Sequence, residues 1–321
     1  MDCENKIELS IIIPHFNSPI MLDKLLQTIP VIEKIQIIVV DDRSTESIDE
    51  YNKLKFKYAH VLFLSNKREN KGAGAARNTG LEYAKGKWLL FADSDDYFLP
   101  YFYDTVKEYF NSDLDIVYFT PTSIEIDTGN LSNRHQDYEK LVTNYILNSS
   151  ENNELNLRYK FFVPWSKLIR KSIVVENNIT FSETLVSNDV IFSIKSANKA
   201  NKIIATDKII YCVTRGIGTL TTTVNAKKLE TRVKVDIEKY KYLKENSLRK
   251  DFKKLELGGL GYAVVGLKQG LGLKFFLKIC FCYIRNGVPL IAFQALNPKK
   301  LIKKVKRYFK SNSTNDRYIK K

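Results

Sequence analysis

Three aspartates within four residues, Asp93, Asp95 and Asp96, directly follow the mostly apolar run 87–92. A buried strand that ends in clustered carboxylates would place hard oxygen ligands at the carboxyl edge of a sheet, where open α/β sheets bind their ligands. Such ligands suit a divalent cation that holds substrate phosphates. A polar turn after a strand has the same composition, because Asp and Ser favour turns, so these residues alone leave both interpretations open.

Two earlier apolar runs also end in polar or aromatic side chains. Pro14 and Phe16 follow the run 9–13, and Asp42 follows the run 35–40. If these runs are parallel strands, both loops open at the same edge as the aspartates. A carboxylate there can accept hydrogen bonds from a base or a ribose, and an aromatic ring can stack on a base. Turn chemistry could explain each loop by itself, but three such loops at one edge favour a binding site.

A glycine-rich segment from Asn70 to Gly80 leads into a predicted helix. Gly72 and Gly74 match the start of a dinucleotide fingerprint, but Arg77 stands at the third glycine position and no Gly-Lys-Ser/Thr sequence follows. The dinucleotide fingerprint and the Walker A loop are therefore excluded. Arg77, early on the helix, suits a diphosphate or a carboxylate of the neighbouring loops. The alternative is a glycine cap on a surface helix.

Asp189 stands at the predicted start of an amphipathic helix over 190–200. A carboxylate there can simply cap the helix or interact with its dipole. It can also serve as a general base beside a site that holds a metal ion and a diphosphate. The three histidines are dispersed, and the sequence shows neither a metal-binding cluster nor a Ser/His/Asp arrangement.

Alternating strands and helices must position these residues. The pattern predicts strands over 9–13 (stopped by Pro14), 35–40, 60–64, 87–92 and 116–119, two short strands over 202–213, and helices over 20–29, 47–57, 72–84, 101–111 and within 225–254. The strands lack strict alternation of apolar and polar residues, which indicates a parallel sheet covered on both faces. Residues 128–156, rich in Asn and Ser, are predicted to be a partly mobile excursion where binding lids often lie.

Charge divides the chain into two parts. The 321 residues carry a net charge of +15, to which residues 221–321 contribute +18 and the first 220 contribute −3. Such asymmetry indicates anionic lipid or nucleic acid as a partner. Segments 271–285 and 296–310 mix apolar residues with Lys and Arg, as do helices that lie in a membrane interface. The near-neutral part contains no recognised nucleic-acid module, so we expect a membrane and no nucleic acid. The alternative is a helical appendage packed on the rest.

The sequence also bears on the compartment. It has no signal-peptide pattern at its start, no segment reaches ~18 uncharged apolar residues, and the four scattered cysteines predict free thiols in a reducing compartment. We therefore expect a cytoplasmic protein that is peripheral on the inner face of the cell membrane. The sequence leaves open whether the protein forms a homo-oligomer.

Taken in order, these segments resemble the motifs of the family 2 glycosyltransferases. The matching segments are Ser10–Asn17, Ile37–Ser44, Asn70–Gly80 and Phe91–Asp96, with weaker continuation through Pro164–Arg170, Asn188–Phe192 and Tyr211–Arg215. The resemblance covers residues 7–223. It implies a GT-A-like α/β fold with a doubly wound, mixed, mostly parallel sheet. A catalytic domain over 1–223 would then precede a helical, basic extension over 224–321.

The resemblance implies that the protein binds a nucleotide-sugar donor, for which we expect a UDP-sugar. Phe16 and Asp42 would hold the base, and Pro14 would shape their loop. Arg77 would lie near the base and the diphosphate, and Arg215 would belong to a loop that contacts phosphate.

The resemblance also implies metal, base and acceptor roles. Asp93 and Asp95 would form a DxD pair, in which Asp95 binds Mn²⁺ or Mg²⁺ directly and Asp93 approaches the ribose or a metal-bound water. Asp189 would be the general base. The acceptor side would include Trp165 and Lys167.

One position departs from the family pattern, because Asn188 precedes Asp189 where the family often has Glu. An ordinary Asp pKa near ~4 would make Asp189 a weak base at neutral pH. We therefore predict that burial against Trp165 or Phe192 raises its pKa. Asp96, at the start of the next segment, is expected to be structural.

The implied reaction is an inverting, metal-dependent transfer of a sugar to a glycan or a lipid-linked glycan. It would serve the synthesis of capsule, lipopolysaccharide or another cell-surface polysaccharide. Two alternatives stay open: a sugar-phosphate nucleotidyltransferase, which would also need a divalent metal, and a catalytically inactive scaffold that binds nucleotide sugars.

Overall fold

The computed structural model describes residues 7–216 and 225–291. The chain separates into two compact units, Met1–Thr184 with Asn188–Arg215, and Leu185–Ser187 with Gly216–Lys321. The main division falls after Arg215. The predicted boundary after residue 223 lies outside the described residues and stays a prediction. The basic run 296–310 lies outside the described residues, so its predicted helix stays a prediction.

The N-terminal half of the first unit alternates strands and helices, as predicted. In chain order these are β1 (Leu9–His15), α1 (Pro19–Gln27), β2 (Ile35–Asp41), α2 (Ile48–Lys57), β3 (Leu62–Ser65), α3 (Ala73–Tyr83) and β4 (Trp88–Phe91). Strands β1 and β4 are buried along their whole length, which explains why they contain no alternation of apolar and polar residues.

Strand β1 continues through Pro14, which the sequence analysis took as its end. Pro14 stands opposite Val40 in the parallel register with β2. The backbone carbonyl of Ile12 accepts a hydrogen bond from Ala92, and the carbonyl of His15 accepts one from Asp42. Backbone groups alternate in direction along a strand, so Pro14 turns toward the β4 side, where pairing has already ended at Ile12. Its missing N–H therefore costs no ladder hydrogen bond.

The rest of the first unit is more irregular. Its elements are β5 (Tyr97–Phe98), α4 (Phe102–Lys107), β6 (Ile116–Phe119), β7 (Thr122–Glu125), α5 (Gln136–Leu147), α6 (Glu151–Lys160), β8 (Lys167–Arg170), α7 (Lys171–Glu176), α8 (Val190–Lys199), β9 (Ile203–Thr206) and β10 (Tyr211–Arg215).

The prediction of a loose excursion over 128–156 is wrong. Most of that segment forms α5 and the start of α6. Val142 is buried, and Tyr138, Leu141 and Tyr145 pack against the same core at helical spacing. The hydroxyl of Ser150 accepts the backbone N–H of Asn153 and caps α6. A narrow apolar stripe therefore orders a segment whose composition is otherwise polar.

Two sheets organise the first unit. The main sheet has seven strands in the order β3-β2-β1-β4-β8-β6-β9, and the small sheet has the order β5-β10-β7. In the main sheet, β8 runs antiparallel to both of its neighbours, and the other neighbouring strands are parallel. The predicted mixed, mostly parallel α/β sheet is confirmed. The carboxyl ends of β1, β2 and β4 consequently share one edge.

The second unit is helical in its described part. It contains α9 (Ala226–Asn246), α10 (Arg249–Lys254), α11 (Leu260–Lys268) and α12 (Gly272–Arg285). Its apolar core is formed by residues of α9, α11 and α12, among them Leu229, Val233, Ala263, Phe275 and Tyr283. A Cβ on Gly266 would lie 2.6 Å from the ring of Phe275, so α11 and α12 approach too closely there for any larger residue. Among the described helices, none is both long and apolar enough to cross a membrane.

The loop of residues 93–96, which we name the aspartate loop, links β4 of the main sheet to β5 of the small sheet. The buried carboxylate of Asp96 accepts hydrogen bonds from the Tyr211 hydroxyl (2.8 Å) and the Thr214 backbone N–H (2.7 Å). The Tyr211 oxygen in turn accepts the N–H of Asp93 (2.8 Å), and the Thr214 hydroxyl donates to the carbonyl of Asp95 (2.6 Å). Strand β10 therefore fixes the loop, and Asp96 is structural, as expected.

Replacing Asp96 with Ala should destabilise the protein strongly. The change leaves a buried hydroxyl and a buried N–H without their acceptor, which costs about 2–4 kcal/mol of unfolding free energy. Urea unfolding followed by circular dichroism measures this loss. The matched control is Asp127→Ala in an exposed turn. Equal stability of the two variants would contradict the role of Asp96.

Candidate active site

Arg77 joins two segments that carry carboxylates. This buried side chain on α3 donates from Nη1 to the amide oxygen of Asn188 (2.9 Å) and from Nη2 to the carboxylate of Asp93. Its guanidinium lies 5.3 Å from the centroid of the Phe181 ring. The aspartate loop and the residue before Asp189 are therefore held by one cation, although they are far apart in sequence.

The first turns of α3 fix the position of this second segment. A Cβ on Gly74 would lie 2.2 Å from the carbonyl oxygen of Ser182 and 2.9 Å from Cβ of Asn188, so only glycine permits this approach. The Asn78 side chain accepts the N–H of Phe181 (2.8 Å) and donates to its carbonyl (3.0 Å). The glycine-rich segment therefore acts by close backbone packing, which the sequence comparison with phosphate-binding loops did not reveal.

Asp189 precedes α8, and its carbonyl accepts the N–H of Ser193 (3.0 Å). Burial raises the pKa of its carboxyl, and the charge of Asp93 adds to that rise, while Arg77 and Lys167 oppose it. The side chain makes no capping hydrogen bond with α8. The predicted upward shift of the Asp189 pKa is thus present, and simple capping does not account for the residue.

Asp95 has the chemistry of a cation ligand. Burial raises the pKa of its carboxyl, and the neighbouring charge of Asp93 raises it further, whereas Arg134 and Arg77 lower it. Within residues 7–216 and 225–291, no side chain donates a hydrogen bond to this carboxylate. The same described ranges contain no group of three or more His, Cys, Asp or Glu side chains arranged to hold a metal ion. A metal ion at Asp95 would therefore need oxygen ligands from a bound substrate.

Asp42 is tied to the start of α3. Its buried carboxylate accepts hydrogen bonds from the side-chain amide of Asn66 (2.6 Å) and from the N–H of Gly72 (2.6 Å). Gly72 has a φ of +119°, a conformation that favours glycine. Asn66 was missed in the sequence, because nothing in the polar turn after β3 distinguishes it until β3 is paired with β2.

The residue that follows β1, Phe16, carries an exposed aromatic ring. Phe16 is 49% exposed, and the Lys71 ammonium lies 6.0 Å from its ring centroid. The preceding His15 is buried and pairs through Nδ1 with Asp41 (3.0 Å), its partner in the β1–β2 register. Burial opposes ionisation of Asp41, but hydrogen bonds from His15 and Ser44 outweigh it and lower the Asp41 pKa. The pairing of His15 with Asp41 therefore holds the backbone at the end of β1, and about half of the Phe16 side chain stays exposed.

Trp165 and Lys167, expected on the acceptor side, are both buried. Lys167 Nζ donates to the carbonyl of Phe161 (3.2 Å) and to the hydroxyl of Ser193 (2.9 Å). Trp165 stacks near Tyr211, at 6.2 Å between ring centroids. Both side chains are only 2% exposed, so neither is positioned to contact an acceptor directly, and their place on the acceptor side stays a prediction. Burial lowers the pKa of Lys167 to about 7, although Asp189 opposes this change.

Arg215, at the end of β10, donates to the side chain of Asn133 (2.9 Å) and lies 3.5 Å from the Glu125 carboxylate. It therefore extends along β7 and the segment that follows β7. Its predicted phosphate contact stays a prediction, because the adjoining residues 217–224 are outside the described part of the chain.

A buried hydrogen-bond network holds the segment after β7. The Ser123 hydroxyl lies 2.7 Å from Nδ1 of His135, and Nε2 of His135 lies 3.5 Å from Glu139. This Ser-His-Glu arrangement was not apparent in the sequence, and its serine is fully buried and has no access to a substrate.

Arg134, next to His135 in the chain, donates to the carbonyl of Thr214 (2.9 Å) and lowers the pKa of Asp95 electrostatically. Arg134 was also missed, since only the fold brings it near the aspartate loop.

The position of Lys167 predicts an unusual dependence of stability on pH. Its pKa falls from 10.5 to about 7 on folding, so between these values the unfolded chain binds more protons than the folded protein. Stability should therefore rise with pH in this window, by roughly 2 kcal/mol between pH 7 and pH 9, and Lys167→Met should remove the rise. Urea unfolding of both proteins at the two pH values measures it. Parallel pH dependences would show that Lys167 titrates normally.

The chain is similar to known glycosyltransferases. The family model described as glycosyl transferase family 2 matches residues 10–176, just over half of the chain. The poly(ribitol-phosphate) beta-glucosyltransferase of Bacillus spizizenii is 30% identical over 209 residues, which are 61% of this chain and 30% of that protein. The poly(ribitol-phosphate) beta-N-acetylglucosaminyltransferase TarS of Staphylococcus aureus is 30% identical over 224 residues, which are 66% of this chain and 36% of that protein. The chain thus spans about a third of the length of these relatives.

A solved structure shares the fold. The crystal structure of residues 1–349 of S. aureus TarS in complex with UDP-GlcNAc superposes with a TM-score of 0.67 at 18% identity, covering 94% of this chain and 88% of that one. The predicted GT-A-like fold agrees with this likeness. Together with the family match over residues 10–176, the ordered motifs and the fold show that the chain belongs to glycosyl transferase family 2.

Proposed function

We propose that this protein is an inverting glycosyltransferase that moves a sugar from a nucleoside-diphosphate sugar to a hydroxyl of a cell-surface glycan or lipid-linked glycan. The observation that carries the proposal is the Arg77 bridge, which brings the aspartate loop and the segment bearing Asp189 to one edge of the sheet. A cation for phosphate, carboxylates for a metal ion and a separate carboxylate with a raised pKa are what this reaction requires.

The donor base would lie between the ends of β1 and β2. Phe16 has a free ring face on which a base can stack, and Asp42 can accept a hydrogen bond from a base N–H. Pro14, held in the strand, would keep the loop of Phe16 in place. Arg77 and Arg215 would contact the diphosphate. A UDP-sugar is the expected donor, and the TarS complex with UDP-GlcNAc supports that expectation by analogy.

Mn²⁺ or Mg²⁺ would be held by Asp95, with Asp93 beside it and the diphosphate completing the ligand set. The fit rests on the carboxylate of Asp95, whose raised pKa reflects burial and a neighbouring negative charge, both of which a divalent cation would offset. When bound, such a cation neutralises charge that builds on the leaving diphosphate. Asp93, which pairs with Arg77, would also orient that guanidinium toward the same phosphates.

Asp189 would accept the proton of the attacking acceptor hydroxyl. A raised pKa makes its carboxylate a stronger base than an ordinary Asp. The base must be ionised, so the rate should fall as the pH falls through this raised pKa. Lys167 and Trp165, which we expect on the acceptor side, would pack behind the side chains that line the site. The acceptor itself would be a polymer of the cell surface, and the names of the two relatives give poly(ribitol-phosphate) as the acceptor of those proteins.

Replacing Asp189 with Asn should abolish transfer and preserve donor binding. The amide keeps the size of the side chain but cannot accept the proton, and removing a general base typically costs about 10²–10⁴-fold in kcat. Transfer is measured as nucleotide release in the presence of acceptor, and donor binding by calorimetry. In the wild type, the acid limb of the kcat profile should lie above pH ~4, the ordinary Asp pKa. Near wild-type transfer by the variant would contradict the assignment of the base, and loss of donor binding together with loss of transfer would point to a binding role.

A panel of UDP-, GDP- and CMP-sugars tests the donor and the metal separately from transfer. We expect UDP-sugars to raise the melting temperature in the presence of Mn²⁺, and to do so much less after chelation by EDTA. Asp95→Asn should abolish the Mn²⁺-dependent part of the shift because it removes a charged ligand. Asp127→Asn, in an exposed turn, is the matched control. If no nucleotide sugar binds under any condition, the protein is not a glycosyltransferase of this kind.

A further inference from the structure

Helix α12 has two apolar faces, and within the described part of the chain one of them is buried and the other is exposed. Phe275, Ile279 and Tyr283 are buried in the core of the second unit. A second set of large apolar side chains is exposed, with spacings of four, four and three residues, which place them on one face. These residues, which we name the apolar stripe, are Leu273 (64% exposed), Leu277 (57%), Phe281 (64%) and Ile284 (59%).

A row of cations runs beside the apolar stripe. Lys274, Lys278 and Arg285 are exposed, and each follows a stripe residue by one position, so they lie along one border of the stripe. Lys278 Nζ lies 2.7 Å from the Glu230 carboxylate. The charge of this segment is otherwise positive, since no Asp or Glu occurs between residues 257 and 291. The surface that would cover the stripe should therefore be apolar in its depth and negative at its border.

We propose that the apolar stripe of α12 docks on the surface of an anionic lipid bilayer, with the helix axis parallel to the membrane. Leu277 and Phe281, at the middle of the stripe, would enter the boundary between headgroups and acyl chains. The three cations would reach lipid phosphates at the border, with their alkyl stems along the apolar surface. This inference goes beyond the proposed function and does not depend on which reaction the first unit catalyses.

The length of α12 excludes a spanning helix. Its 14 residues correspond to about 21 Å, whereas the hydrocarbon core of a bilayer is about 30 Å thick. Two lysines inside the helix would add a large cost at the centre of a bilayer. Both features are compatible with a helix that lies on the membrane.

A second copy of the chain fits the stripe less well. A stable protein interface uses about 20–30 residues on each side, and four side chains on one helix fall far below this size. Two copies that met along the stripe with their helices antiparallel would also bring their rows of cations together, which disfavours association. An anionic bilayer removes the apolar surface from water and gains from the same charges.

A tryptophan in the stripe reports its insertion directly. The two native tryptophans, Trp88 and Trp165, are buried, so they provide a constant background. In full-length Phe281→Trp, vesicles with 30% phosphatidylserine should shift the added emission to the blue, and brominated acyl chains should quench it. The matched control is Phe56→Trp, whose position is 86% exposed in the first unit and should show no shift. Equal behaviour of both variants, with or without a shift, would overturn the proposal.

Flotation of the full chain with vesicles measures the contribution of the stripe. Leu277→Gln with Phe281→Gln should weaken partitioning into anionic vesicles by roughly tenfold or more, because two large apolar side chains no longer leave water. Val31→Gln with Leu147→Gln removes two apolar residues elsewhere that are even more exposed, and it should change nothing. Identical circular dichroism and melting temperature of the variants confirm that they fold.

The same experiments distinguish the other occupants. Partitioning that depends on anionic lipid but is insensitive to the stripe variant would assign binding to other basic residues and overturn the proposal. A wild type that is dimeric in light scattering, and a stripe variant that is monomeric, would make the stripe a subunit interface instead. Absence of binding to anionic vesicles at low salt would also overturn it.

Discussion

The candidate site depends on one buried carboxylate. Asp96 lies in the core, where burial and the nearby charges of Asp95 and Asp93 raise its pKa well above the ordinary value. Such a group is tolerated only with its hydrogen bonds made, and strand β10 supplies both donors. The same strand binds the backbone at Asp93 and Asp95. A costly group is thereby used to hold two neighbouring carboxylates in fixed positions at the end of β4.

The site brings several carboxylates close to two buried cations, Arg77 and Lys167. Burial is the main cause that raises the pKa of Asp95, Asp96 and Asp189, and the charges of neighbouring carboxylates add to this rise while nearby cations oppose it. Arg77 is bound between two segments, and Lys167 is so buried that its pKa falls to about 7. The proposed metal ion, if bound beside these carboxylates, would offset both the burial and the repulsion. A donor diphosphate alone would be repelled, so metal and donor should favour one another's binding.

Whether a feature could be predicted from the sequence depends on how far apart along the chain its interacting residues lie. The strands of the first half are continuous apolar runs, and their polar ends mark Asp42 and Asp93 without any structure. Arg134 and Asn66 could not be found this way, because each becomes significant only through a partner distant in sequence. Helix α5 was missed because polar composition masked a narrow apolar stripe around Val142. The burial of Lys167 was missed because a charged residue in a short strand is ordinarily exposed.

Asp42 connects the base-binding end of the proposed donor site to its phosphate-binding end. Both of its carboxylate oxygens already accept hydrogen bonds, one from Asn66 and one from the backbone of Gly72 at the start of α3. A carboxylate oxygen can accept a second hydrogen bond, so a base N–H can be added without removing Gly72. The first turns of α3 carry Arg77 and, through Gly74, the packing of Asn188. Recognition of the nucleobase would therefore steady the helix that carries Arg77. The same helix would orient the guanidinium toward the donor phosphates and toward the segment that carries Asp189, the proposed general base.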